Sequence, residues 1–239
     1  MLRIITVVVT PFQQNARFLF AGEAQGAMLV DPGGEVERLF SHLPVSAGPI
    51  EAIVLTHAHI DHGGGVAKAL ALAEEKFGKR PTLYAYGAHS ELRQRIGQQA
   101  ILFGLSAAEY SNCPEPDCGV AEDDVIEVGG FQAQVLFTPG HAPDHISLYL
   151  SHAEYTSDTV GPHNRVVERG TGSGPLLLGG DTLFAGSIGR TDLPGGDHDL
   201  LLKSIRGKLM TLPDETRVLT GHGPDTTIAA ERAGNPFLR

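Results

Sequence analysis

The sequence predicts a single α/β domain, and two observations lead to this class. Short apolar runs typical of buried strands, such as residues 4–9, 52–55 and 135–137, alternate with helix-like segments rich in Ala, Leu, Glu and Lys. Polar residues that could carry chemistry are spread from residue 57 to residue 222, so one folded unit must bring them together. Periodicity by itself gives the α/β class and no more than that.

Local patterns predict the elements in chain order. These are two strands, a helix, a strand ending at Leu55, a helix over 66–77, a strand over 82–86, an amphipathic helix near 88–101, strands dominating 125–184, a helix over about 198–211 and a strand ending at His222. Gly78 is the expected C-cap of the first long helix. Asp197 is the expected N-cap of the last helix, because an apolar repeat at residues 201, 205 and 209 follows it.

The segment after residues 52–55 carries the strongest chemical signal. It reads Thr-His-Ala-His-Ile-Asp-His over residues 56–62 and is followed by three glycines. Neutral imidazoles and carboxylates are ligands for Zn, Fe or Mn, and this density at a strand end favours a metal site over ordinary core or surface histidines. Alternation puts His57 and His59 on one side and the turn redirects Asp61 and His62, so the segment can serve two adjacent metal pockets.

The order of strand, glycine and candidate ligand occurs three more times, at Gly140-His141, Gly180-Asp181 and Gly221-His222. Glycine lets the backbone turn sharply and approach an ion closely. Ligands at strand ends converge on one edge of a sheet, where open α/β folds place their sites. Each of these turns alone is equally compatible with an ordinary polar turn.

The pattern His-x-His-x-Asp-His, followed by a single His, a single Asp and a last His, resembles the metallo-β-lactamase superfamily over nearly the whole chain. Residues 186–192, 194–198 and 231–237 resemble the short, single-domain type II glyoxalases, which are hydroxyacylglutathione hydrolases. The Gly-Arg-Thr-Asp element at 189–192 is also similar to persulfide dioxygenases. The resemblance implies an αββα sandwich, with two mixed sheets face to face and helices outside, as one domain over residues 1–239.

Carried over position by position, the resemblance implies two divalent metal ions, with zinc expected first and iron or manganese also accepted. The implied ligands of the first ion are His57, His59 and His141. Those of the second are Asp61, His62 and His222, and Asp181 bridges the two. Asp61 and Asp181 are therefore the expected catalytic carboxylates of a pair of ions that, in such sites, lie roughly 3.5–4 Å apart.

The implied reaction is hydrolysis of a thioester such as S-lactoylglutathione to a hydroxy acid and glutathione, by attack of a metal-bridging hydroxide. One alternative is a glutathione persulfide dioxygenase with a single iron, and another is a different hydrolase of this fold, such as a lactonase. The setting of His222 in Gly-His-Gly-Pro favours the hydrolase. A module that keeps metal only for stability comes last, because structural zinc sites are usually closed by four ligands.

Three features depart from the usual pattern of this family. Asp144 stands where glycine is common. If that glycine adopts a left-handed conformation, aspartate is among the few residues that tolerate it, and a harmless turn substitution is favoured over a new active-site acid. The stretch at about 151–175 predicts a hairpin extension, either a solvated protrusion or a lid or subunit contact.

Larger type II glyoxalases add a C-terminal helical domain whose cations hold glutathione, whereas here residues 225–239 follow the last ligand turn. Arg190 is the candidate substrate contact, and its alternative role is to fix a loop through Asp192.

The expected partner is a small molecule, and the resemblance implies a thioester. A net charge of −10 argues against nucleic acid, and the apolar run at 4–9 is too short for a signal core or a membrane span. A reducing cytoplasm is expected, with Cys113 and Cys118 as a free surface pair. The other histidines are interpreted as ordinary core or surface residues: His42, His89, His145, His152, His163 and His198.

Overall fold

The computed structural model describes residues 1–88, 90–106 and 108–239, and His89 therefore lies outside the described residues. Its strands are Leu2–Val9 (β1), Gln14–Ala21 (β2), Ala27–Val30 (β3), Ile50–Val54 (β4), Thr82–Tyr86 (β5), Cys118–Val120 (β6), Val125–Val128 (β7), Phe131–Phe137 (β8), Ile146–Val160 (β9), Val166–Gly180 (β10), Leu183–Phe184 (β11), Ser187–Ile188 (β12), Arg217–Thr220 (β13) and Thr226–Thr227 (β14). Its helices are Val36–Ser41 (α1), Ile60–Gly63 (α2), Val66–Phe77 (α3), Glu91–Gln94 (α4), Ile96–Leu102 (α5), His198–Gly207 (α6) and Ile228–Gly234 (α7).

Three apolar cores separate four layers of secondary structure. The first core packs strands β1 to β5 against helices α1, α3 and α5. The second core lies between the two sheets, and the third packs β10 and β13 against α6 and α7. Strand β10 shows the alternation directly, because Leu176 and Leu178 face the middle core while Leu177 faces the third. The arrangement is the αββα sandwich, which confirms the predicted fold class.

The two sheets are joined through the long hairpin β9–β10. The start of β9 pairs antiparallel with β8, whereas its end pairs parallel with β1, from Leu2 opposite Tyr155 to Val7 opposite Val160. Residues 151–175, which the sequence predicts as a hairpin extension, are therefore the outer part of two sheet strands. The hairpin tip contacts α1, where Arg38 donates to the carbonyl of Gly161 at 2.7 Å. This contact places the tip against a helix of the first layer.

Local signals located the long helices well and the short ones less well. Helix α3 ends at Phe77 and is followed by Gly78 in the left-handed conformation with φ of 71°, as predicted. Asp197 caps α6 by accepting a hydrogen bond from the Leu200 N–H at 2.9 Å. The predicted helix near 88–101 is instead two short helices, α4 and α5, because the backbone leaves helical geometry at Arg95.

Two further sequence expectations concern the cysteines and the membrane. Cys113 and Cys118 are both free, but Cys113 is buried, so the interpretation of a surface pair holds only for Cys118. Within the part of the chain that the structure describes, no helix has the length and apolarity that crossing a bilayer requires.

Candidate metal centre

Four loops bring the predicted ligands to one edge of the sandwich. The loop after β4 carries His57, and His59 then occupies the N-cap position of α2. Asp61 and His62 follow in the first turn of that helix. The remaining three ligands come from the loops after β8, β10 and β13, and they are His141, Asp181 and His222. The structure thus brings together all seven side chains that the sequence analysis singled out as ligands.

The first set of ligands consists of three buried imidazoles. The Nε2 atom of His141 lies 2.8 Å from Nδ1 of His59 and 3.2 Å from Nε2 of His57. Burial, followed by repulsion from the neighbouring imidazoles, lowers the pKa of His57 and lowers the pKa of His59 to about 3. The pKa of His141 is lowered mainly by burial as well. Neutral imidazole is the form that binds metal, so this set is ready to coordinate.

The second set combines two imidazoles with a carboxylate. The Nε2 atom of His222 lies 3.1 Å from Oδ2 of Asp61 and 3.3 Å from Nε2 of His62. Burial acts to lower the pKa of His222, but its hydrogen bonds with Asp181 and Asp61 raise it to about 9. The pKa of His62 is also raised, since its nearby carboxylates outweigh its burial. Without a metal ion, protons therefore balance the carboxylate charge in this set.

Asp181 lies between the two sets. Its Oδ2 atom is 3.6 Å from Nε2 of His141 and 3.4 Å from Nε2 of His222, and its Oδ1 atom is 3.3 Å from Nε2 of His62. Oδ1 is buried, and although Nε2 of His62 lies 3.3 Å away, it makes no well-aligned hydrogen bond, which is costly for an oxygen of a carboxylate. A cation at this position would satisfy that oxygen. The donor set of nitrogen and carboxylate oxygen therefore fits a pair of divalent transition-metal ions that share Asp181.

In four of the five candidate ligand histidines, the ring nitrogen that points away from the metal position contacts a neighbouring polar group. These contacts fix which nitrogen points to the metal position. They are His57 Nδ1 to Thr56 Oγ1 at 3.0 Å, His62 Nδ1 to Asp31 Oδ2 at 2.9 Å, His141 Nδ1 to the Arg190 carbonyl at 2.7 Å and His222 Nδ1 to the Phe12 carbonyl at 3.0 Å.

Asp31 is a positioning residue that the sequence analysis missed. Its carboxylate accepts hydrogen bonds from both the backbone N–H and the hydroxyl of Thr56, each at 2.7 Å, in addition to its contact with His62. It follows strand β3 and precedes Pro-Gly-Gly, and its φ is 51°. The signal in the sequence was the same order that marks the ligands, a strand end with a polar residue beside glycine.

His145 is not an ordinary core residue, because its ring packs against two of the candidate ligand residues, on the side away from the metal position. Its ring stacks on His57 with centroids 4.9 Å apart. Its Nε2 atom accepts a hydrogen bond from the backbone N–H of Asp181 at 3.0 Å, and its Nδ1 atom contacts the Thr138 hydroxyl at 2.9 Å. Burial lowers its pKa, so the ring is neutral and can accept that hydrogen bond. The described histidines 152, 163 and 198 are exposed, as interpreted, and His42 contacts Asn164.

Asp144 does not adopt the left-handed conformation that glycine would allow at this position, because its φ is not positive. The side chain is buried, and its Oδ2 atom accepts a hydrogen bond from the Ser90 hydroxyl at 2.6 Å. Burial raises the pKa of this carboxyl group. Asp144 thus packs beneath the surface as a buried acid.

A cleft opens over the metal centre with a volume of about 580 Å³. Arg190 lies at this cleft, and its guanidinium makes two hydrogen bonds of 2.7 Å to the carboxylate of Asp192. Its side chain is 61% exposed. These contacts support the loop-fixing role for the side chain, while its carbonyl holds His141.

Comparison with known proteins agrees with this geometry. Residues 9–156 and 151–222 match the model of the Metallo-beta-lactamase superfamily, and the chain belongs to this superfamily. Hydroxyacylglutathione hydrolase GloC of Haemophilus influenzae is 33% identical over 241 residues, covering 99% of this chain and 98% of that protein. The protein is accordingly a metal-dependent hydrolase of this superfamily, with a centre suited to two ions.

Two solved structures have the same fold over almost the full chain. BLEG-1, a B3 metallo-beta-lactamase, superposes with a TM-score of 0.75 at 32% identity, covering 98% of this chain and 99% of that one. TTHA1623, solved in a di-iron-bound form, superposes with a TM-score of 0.73 at 34% identity and the same coverage of 98% and 99%.

Proposed function

We propose that this protein hydrolyses thioesters of small thiols, with S-lactoylglutathione as the representative substrate, using two divalent metal ions. The observation that carries the proposal is the position of Asp181 between two sets of three ligands. A hydroxyacylglutathione hydrolase among the relatives supports the substrate class. Zinc is the metal proposed first, with iron or manganese as alternatives.

The chemistry follows from the charges that the site would hold. When bound, a pair of divalent ions lowers the pKa of a water molecule towards 7 and polarises a carbonyl oxygen. Asp61 and Asp181 would hold such a pair with two negative charges, which would leave a net positive charge beneath the cleft. That charge would favour a thioester whose carbonyl oxygen points towards these residues and would stabilise negative charge on that oxygen. The lowered pKa of both aspartates keeps them in the charged form.

The proposed setting is a reducing cytoplasm, where low-molecular-weight thiols persist. The free state of Cys113 and Cys118 supports this setting. The proposed partner is a small-molecule thioester, and a net charge of −10 supports a partner other than nucleic acid or an anionic membrane surface.

The test combines metal counting with a thiol-release assay. The protein is reconstituted with zinc, ferrous iron or manganese, and the metal content per chain is measured together with the hydrolysis of S-lactoylglutathione. We expect two ions per chain and thiol release. His222→Ala should reduce the content to about one ion and lower kcat/KM by roughly 100-fold or more. His152→Ala, at an exposed position on β9, is the matched control. Two bound ions per chain with no cleavage of any thioester would contradict the proposal.

A second function is favoured by one observation, the compactness of the first set. The Nε2 atom of His141 lies 2.8 Å from Nδ1 of His59, 3.2 Å from Nε2 of His57 and 3.6 Å from Oδ2 of Asp181, so these four side chains could hold a single ion without the second set. A single iron held by the first set and Asp181 would fit a persulfide dioxygenase. That function predicts one iron per chain, oxygen uptake with glutathione persulfide and activity that survives His222→Ala. A lactonase would instead open lactones without releasing a thiol.

A further inference from the structure

Much of the lining of the cleft above the metal centre is apolar, and this part of the lining is called the apolar wall. It consists of Phe12, Ile60, Phe103, Phe184, Ile188 and Leu193. We infer that this wall is a subsite for the acyl arm of the substrate, so that the preferred thioesters carry a hydrocarbon or aromatic acyl group larger than lactoyl. This inference rests on the proposed function.

The wall begins beside a metal ligand. The ring of Phe184 lies 6.3 Å from the ring of His222, at an angle of 69°. The carbonyl of Phe12 accepts the hydrogen bond from Nδ1 of the same histidine at 3.0 Å. A group that enters along this wall therefore arrives next to the second set of ligands. The reacting carbonyl and its acyl chain can then occupy the metal centre and the wall together.

The most solvent-exposed part of the wall is a pair of aromatic rings. The rings of Phe12 and Phe103 meet edge to face, with centroids 5.5 Å apart. They come from the β1–β2 turn and from the residue after α5. Phe12 is 36% exposed and Phe103 is 48% exposed. A hydrocarbon chain that covers these rings removes apolar surface from water on both sides, which is favourable.

Charge assigns the wall to the acyl arm rather than to the thiol arm. The glutathione arm carries two carboxylates, which would lose hydration against phenyl rings and find no cationic partner there. Among the described residues that line the cleft, Arg190 is the only Lys or Arg, and Asp192 already occupies its guanidinium. A volume of about 580 Å³ leaves room for an acyl chain beside the thiol.

The test is a series of glutathione thioesters with acetyl, lactoyl, hexanoyl and phenylacetyl groups. For the wild type, we expect kcat/KM to be roughly tenfold or more higher for hexanoyl than for acetyl, since each buried methylene group adds discrimination. Phe103→Ala should reduce the ratio of hexanoyl to acetyl by roughly tenfold. Leu102→Ala is the control, because Leu102 precedes Phe103, is 80% exposed and does not line the cleft. Unfolding temperature verifies that both variants fold.

Binding of inert thioethers separates this inference from the proposed function. S-hexylglutathione should bind the wild type at least about tenfold more tightly than S-methylglutathione, with the difference reduced in Phe103→Ala. Thioester cleavage with no dependence on chain length, or a loss in Phe103→Ala that is equal for all substrates, would overturn the inference and leave the hydrolase. Tighter binding of the hexyl compound without any thioester cleavage would support the subsite and overturn the proposed function.

Discussion

The imidazole of His145 accepts a hydrogen bond from the backbone N–H of Asp181 at 3.0 Å. The same ring stacks on His57, which belongs to the first set of ligands. A buried side chain that does not itself face the metal position therefore links the bridging carboxylate to the first set. This link makes the geometry of Asp181 depend on a residue outside the ligand pattern.

Replacing His145 should weaken metal binding. His145→Ala removes the acceptor for the Asp181 N–H and leaves a cavity behind His57, so the bridging carboxylate loses its fixed position. We expect metal affinity and kcat/KM to fall by about 10–100-fold, as for other partners behind metal ligands. Metal titration and thioester hydrolysis measure this, with His152→Ala as the exposed control. An unchanged affinity for both ions would contradict the role given to His145.

Gly221 should tolerate no side chain. A Cβ atom at this position would lie 2.0 Å from Oδ1 of Asp181 and 3.0 Å from Cε1 of His62. Gly221→Ala must therefore displace the bridging carboxylate, and we expect loss of the second ion and a fall in activity of roughly 100-fold or more. Gly207→Ala is the matched control, because nothing lies within 4 Å of its Cβ position. Two ions per chain in Gly221→Ala would show that the loop can move without cost.

The two ions should differ in their dependence on pH. The pKa of His222 is raised to about 9 in the metal-free protein, so this imidazole is protonated at pH 7 and must release its proton to bind metal. Affinity for the second ion should then rise with pH between 6 and 9, by about tenfold per pH unit for each proton displaced. The pKa of His59 is lowered to about 3, so the first ion should bind with little dependence over this range.

Calorimetric titration at pH 6, 7 and 8 tests this difference. Titrations in buffers of different ionisation enthalpy give the number of protons released with each ion. The His222→Ala variant should lose the pH-dependent step and keep the other one. Equal pH dependence for both ions would contradict the assignment of protonation states.

Asp144 should make stability depend on pH. Burial raises the folded-state pKa of this carboxyl, so its protonated form favours the folded state. That contribution is present below the ordinary aspartate pKa of about 4 and is lost as pH rises through the raised value. Asp144→Asn keeps an acceptor for Ser90 without the charge. Relative to wild type, the variant should therefore gain free energy of unfolding progressively as the pH rises from 4 to 7. Urea unfolding of both metal-depleted proteins measures the difference, and a constant difference would contradict it.

The candidate ligands were predictable from two kinds of signal. His57, His59 and His62 lie within six positions of one another, which is a local signal, whereas the later candidates follow glycine at strand ends and were assigned through the resemblance to the superfamily. Asp31 and His145 escaped prediction because each acts through a contact distant in sequence. Asp31 holds Thr56 across 25 positions, and His145 holds Asp181 across 36. Asp31 shares the strand-end position of the candidate ligands, but neither it nor His145 carries a local mark of the distant partner that it contacts.

The sequence by itself determined the α/β class and the caps of the long helices, which depend on apolar periodicity and on side-chain chemistry within a few residues. The sandwich and the seven candidate ligands followed from the resemblance of the His-x-His-x-Asp-His pattern to the metallo-β-lactamase superfamily. Only the tertiary structure decided that β9 joins the two sheets, that Asp181 lies between the ligand sets and that aromatic side chains from separate loops form one wall. The physical reason is that these features arise from packing between segments far apart in the chain, and packing is specified by the whole fold.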